Sequence, residues 1–155
     1  MSEAITPEIL RQWDADAQRL TDTVLALPAS QLDASAHGAW SPRQVLAHLL
    51  DSEMVFGARL RVVVALPGST IALFDQDAMA TKVPYADVPI EAIGAAFTAL
   101  RRVNTAIALA LPAESWDTTV EHPERGTQSL NGIARIFGEH IAGHMPDLDQ
   151  AASDR

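Results

Sequence analysis

The chain has 155 residues, 48% hydrophobic and 20% charged, a balance that excludes disorder and predicts one domain over residues 1–155. Its formal charge of -9 counts against nucleic acid and anionic membranes as partners, and no apolar run is long enough to span a bilayer. The absence of cysteine excludes disulfides, thiolate nucleophiles and thiolate ligands, so any bound metal must rest on His, Asp or Glu.

Four helices are predicted in chain order. The first opens at Thr6-Pro7-Glu8, a hydroxyl cap followed by a proline and an acid in the first turn, and runs to Pro28. Ile9, Leu10, Trp13, Ala17, Leu20, Val24 and Leu27 recur at three and four and mark its buried face. The second opens with the same signal at Ser41-Pro42 and continues to Pro67-Gly68. The third starts near Asp87, with a stripe of Ile93, Phe97, Leu100, Val103 and Ile107, and stops before Pro112. The fourth starts near Thr127 or Ser129 and carries Leu130, Ile133, Ile136, Phe137 and Ile141 before Pro146. Nothing alternates with period two over a strand's length, so the predicted fold is all-α, a four-helix bundle. The connections 67 to 87 and 112 to 128 exceed the usual loop and are long enough to cross the end of the bundle. The opening stretch lacks a basic segment followed by an apolar run, and a cytoplasmic protein is expected.

His140 and His144 lie four apart on a helix, which stacks the two rings on one face where both can reach one ion. The spacing is that of a zincin helix, but Ile141 stands where the zincin's general-base Glu belongs, which argues against a protease of that kind. His48 sits in the most apolar part of the second helix, Val45-Leu-Ala-His-Leu-Leu50, where an imidazole needs a partner to offset its desolvation. Three imidazoles from two helices make a metal site with positions left open for water or substrate, as in catalytic zinc. Asp51, Glu53, Asp147 and the loop acids are candidates to hold the outer ring nitrogens.

The segments Trp40-Ser-Pro-Arg-Gln-Val-Leu-Ala-His48, Phe74-Asp-Gln-Asp77, Glu121-His-Pro-Glu-Arg-Gly126 and the His140/His144 pair together resemble the DinB-like, or YfiT-like, superfamily of metal-dependent enzymes over nearly the whole chain. The resemblance implies a bundle of unusual helix order, often a homodimer, with nickel or zinc on His48, His140 and His144. It also implies kinship with S-transferases that use bacillithiol or mycothiol, and with a mycothiol-dependent maleylpyruvate isomerase. Fold and metal do not fix the reaction. The expected function is a metal-dependent enzyme acting on a small molecule through an activated thiol or water, first as a thiol S-transferase and second as a hydrolase. The alternative from another class is a non-catalytic, metal-stabilised or dimeric bundle serving in binding or stress response.

Other residues carry plainer expectations. Pro146 should kink or end the fourth helix close to the site. Gly138 and Gly143 weaken the helix and are expected to admit a neighbouring helix, to leave room beside the metal, or to be simple drift in a helix stabilised by packing. His37 is expected exposed and His122 in a turn, both within reach of the site. Asp75 and Asp77 are best read as caps of a short turn. Arg59, Arg61, Arg101 and Arg102 should pair with surface acids, with carboxylate binding as the other option. Trp40 reads as a hydrophobic staple and Trp116 as a loop anchor.

Overall fold

The computed structural model describes residues 5–35 and 39–153, and the expectation for His37 therefore lies outside the described residues. Four long helices form the framework: α1 (Pro7–Leu25), α3 (Pro42–Ala65), α5 (Ile90–Ala110) and α6 (Leu130–Ser153), with short α2 (Ala29–Leu32) and α4 (Gln76–Lys82) in the connections. Helix α1 starts where its sequence directs, the Thr6 hydroxyl accepting from the Ile9 amide. At the head of α3, Ser41 accepts from the Gln44 amide while the Gln44 side chain accepts from the Ser41 amide, a full capping box. The third long helix begins later than expected, at Ile90, because the 3-10 turn Tyr85–Asp87 and Pro89 occupy the approach.

The bundle order is not the simple one. Helix α1 packs on α5 and α6, and α3 packs on the same two. Around the bundle the order is therefore α1, α5, α3, α6, which places α1 diagonal to α3 and α5 diagonal to α6. In an up-down-up-down bundle successive helices are neighbours. Here the connections α1 to α3 and α5 to α6 cross the bundle end, while the long link from α3 to α5 joins adjacent helices.

Three expectations are corrected. Strands exist: β1 (Thr119–His122) pairs antiparallel with β2 (Gly126–Ser129), Glu121 also bridging to Thr70 in the α3–α5 link. Gly126 closes the turn with φ 69°, in the left-handed region that favours glycine. Because β2 ends at Ser129, α6 begins at Leu130. Helix α6 also continues through Pro146 to Ser153. One lost backbone bond is outweighed there by packing, since Met145 and Leu148 extend the Ile141 stripe into the core. Finally, the α5 stripe rotates past Phe97: Val103 is 50% exposed and the buried positions are Arg101 and Asn104.

That rotation exposes the plan of the interior. One apolar cluster gathers Leu20, Leu46, Leu49, Phe97 and Ile141, and a second gathers Phe56, Leu60, Val120, Leu130 and Phe137. On α3 the two are separated by the polar segment Asp51, Ser52 and Glu53, all buried. Glu53 accepts from Arg101 at 2.9 Å and from the Asn104 amide at 2.8 Å, and Arg61 donates to Asn104 at 2.9 Å. A buried charge is tolerated only when so paired. Among the described residues, no helix is long and apolar enough to cross a membrane.

Candidate metal centre

The capping box fixes the start of α3 and thereby the turn that carries His48, which is buried. Helix α6 presents His140 and His144 from the neighbouring position in the bundle, both half-buried. The three rings converge: His140 Nε2 lies 3.1 Å from His48 Nε2 and 3.0 Å from His144 Nε2. An ion at about 2.0–2.1 Å from each nitrogen separates its donors by about 2.8–3.4 Å, depending on whether they subtend a right or a tetrahedral angle. The trio fits a divalent metal by that measure. Among the described residues the cluster has three members, and no fourth carboxylate or imidazole joins it.

Electrostatics favour the same state. Burial, reinforced by the neighbouring His140 and His144, lowers His48 to about 3. Burial and then His144 lower His140 to about 4. Both rings are therefore neutral at working pH and offer lone pairs rather than protons.

Aromatic rings frame the trio. Trp40, expected only as a staple, meets His48 edge-on with centroids 4.7 Å apart and lies nearly parallel to His144 at 6.4 Å. Phe74 stacks on His48 at 6.3 Å. The acids nearest in sequence are engaged elsewhere. Asp51 accepts from the Tyr85 hydroxyl, which pins the α3–α5 link to α3, and burial raises its carboxyl above the usual range. Glu53 is held by Arg101 and Asn104, and His48 Nδ1 is buried with no hydrogen bond among the described residues. The Asp147 side chain lies outside the described residues.

A cavity of about 360 Å³ opens beside the trio and reaches it at His140. Its walls come from α3, from Phe74 in the link, from the β1–β2 turn and from α6. The expected turn residue His122 ends β1 and lines this cavity, its Nδ1 accepting from the Glu124 amide at 3.2 Å. Asp75 caps α4 by accepting from the Ala78 amide, as read from sequence, and Asp77 is exposed in the first turn. The arginines depart from expectation. Arg101 pairs with buried Glu53, Arg61 with Asn104, and Arg102 donates to Gln18, and among the described residues none of the three meets a surface acid in an ion pair. Arg59 lines the cavity, donating to the Ala72 carbonyl at 2.9 Å with its guanidinium 5.6 Å from the Phe137 ring centre. Sequence reasoning offered Arg59 for carboxylate binding only as the second option and missed Arg125, because only the packing of the hairpin on the link brings the two together. Trp116 packs against the second apolar cluster, as a loop anchor should.

Comparison with known proteins agrees with this geometry. A family model described as the DinB superfamily matches residues 12–147. A protein of Oceanobacillus iheyensis named "Putative metal-dependent hydrolase OB0782" is 30% identical over 152 residues, covering 93% of this chain and 88% of its own length. A Bacillus cereus B4264 protein of the same description is 26% identical over 93% of this chain and 87% of its own. Among solved structures, YfiT from Bacillus subtilis, described as a four-helix bundle of unusual topology, superposes with TM-score 0.85 at 20% identity over 99% of this chain and 91% of its own. That superposition shows the fold.

Proposed function

The chain belongs to the DinB superfamily, and from that premise we propose that it is a metal-dependent enzyme with a divalent ion on His48, His140 and His144. The observation that carries the reading is the convergence of three imidazoles, at 3.0 and 3.1 Å, on one flank of a cavity of small-molecule size. A closed structural centre would have a fourth protein ligand. The cluster has three members among the described residues, and two of its rings are half-exposed. An ion so held supplies a Lewis acid that makes a water or thiol nucleophile available near neutral pH. The protein's own part is to keep His48 and His140 neutral by burial, to orient the trio through Trp40 and Phe74, and to seat the substrate between Phe74, Phe137 and the β1–β2 turn.

Hydrolysis is the reaction favoured by the names of the relatives. Transfer of a low-molecular-weight thiol such as bacillithiol or mycothiol is the second reading, favoured by the cationic groups in the cavity, which suit a carboxylate-bearing thiol. The test is turnover by zinc- and nickel-loaded protein on ester and amide panels, and separately on each thiol with an alkylating electrophile. Hydrolysis lost with chelator and in His48→Ala supports the first reading, and thiol consumption with the same dependence supports the second. Failure of both panels contradicts the enzyme reading.

A further inference from the structure

The groups around the cavity are not those of the rest of the surface. The chain carries a net charge of -9, yet the lining of this cavity gathers Arg59, Arg125 and His122 against one acid, Glu124. Neither Arg59 nor Arg125 forms an ion pair among the described residues. Arg59 is fixed rather than free, one terminal nitrogen on the Ala72 carbonyl and the guanidinium plane beside Phe137. His122 spends Nδ1 on the Glu124 amide, so as a neutral ring it keeps its proton on Nε2 and acts as a donor. Arg59, Arg125 and His122 thus line a cavity whose other walls include Phe74, Leu73, Ile136 and Phe137. An unpaired cationic cluster in a partly buried cleft focuses potential and selects anions, and a planar guanidinium matches the carboxylate or phosphate fork.

We propose that this cavity is an anion-selecting subsite, in which Arg59, Arg125 and His122 hold the carboxylate or phosphate of a small organic anion whose apolar part lies along Phe74 and Phe137 towards His140. The inference deepens the enzyme reading above by naming the substrate class, and rests on that reading for its role in turnover. Binding itself needs no ion in the trio. Arg59 and Arg125 act here as substrate-holding groups from α3 and the hairpin tip, and the hairpin's pairing with the α3–α5 link is what closes the subsite.

The test is calorimetric titration of metal-loaded and chelator-treated protein with phenylacetate, phenyl phosphate and the neutral isostere phenylacetamide. The expected result is at least tenfold weaker binding of the amide than of one of the anions, before and after chelation, and the stronger anion identifies the group recognised. Arg125→Gln, at an exposed turn, and Arg59→Gln should each weaken the anion several-fold and leave the amide unchanged, while Arg59→Lys should recover part of the loss. Equal binding of anion and amide overturns the proposal, as does selectivity that disappears on chelation, since the ion and not the arginines would then hold the anion. Anion selectivity in a protein with no turnover would uphold the subsite while counting against the enzyme reading, so the two fail separately.

Discussion

His48 and His140 are neutral because burial and their neighbours hold them at about 3 and about 4, against about 6.5 for an ordinary imidazole. The sign of the linkage follows. Between the two values the unfolded chain binds protons that the native chain refuses, so these rings withdraw stability from the metal-free protein as pH falls from about 6.5 towards 4. Metal uptake shows the same shift without interference from other groups. Three ordinary imidazoles at pH 5.5 would release nearly three protons per ion, whereas this trio should release about one or fewer. Calorimetry of metal binding in buffers of different ionisation enthalpy counts those protons, and a value near three contradicts the assigned environment. At this scale the sequence was informative about the histidines: an i, i+4 pair and a third imidazole in an apolar stretch were sufficient to select residues that the structure brings together. It was misleading about Arg101, which reads as a surface cation and lies 2% exposed on Glu53. Nothing local distinguishes Arg101 from Arg102; the distinction comes from which face of α5 meets α3.

Helix α6 contains two glycines that the sequence left equivalent. A Cβ on Gly138 would stand 2.3 Å from the Trp13 indole of α1, while one on Gly143 would meet nothing within 4 Å. Gly138→Ala should therefore destabilise by about 1–2 kcal/mol, overpacking exceeding the gain in helix propensity. Gly143→Ala should stabilise by up to about 1 kcal/mol. Urea denaturation of the metal-free variants measures both, and equal shifts of the same sign would contradict the close approach of α1 and α6. Helix existence was legible from caps and period, because Thr6-Pro7 and Ser41-Pro42 act locally. The hairpin was not, since each strand has four residues and β1 contributes one buried apolar side chain, Val120. Its strands are stabilised by partners distant in sequence, the Ser69–Ile71 backbone among them.

Across the molecule, the polar layer of Glu53, Arg101 and Asn104 separates two apolar clusters and sits on the same helix that supplies His48. Removing one member of a buried ion pair leaves a charge without a counter-ion, so Arg101→Met should cost about 3–5 kcal/mol. Glu53→Met in the same chain should return part of that loss, as read from thermal or chemical unfolding; a double variant worse than the single would contradict the pairing. The four-helix architecture and the positions of the trio were available from the sequence. The unusual helix order was available only through the family resemblance, and the cavity not at all, because both depend on how the long connections meet.

The central claim is that the convergent imidazoles hold a divalent ion. Metal content by plasma mass spectrometry, on protein purified without a His tag and after incubation with zinc or nickel, tests it most directly, alongside His48→Ala and the His140→Ala/His144→Ala double variant. One ion per chain in the wild type, lost in both variants while their helical content persists, is the predicted result. A wild type that takes up no metal, or variants that retain it in full, would contradict the account.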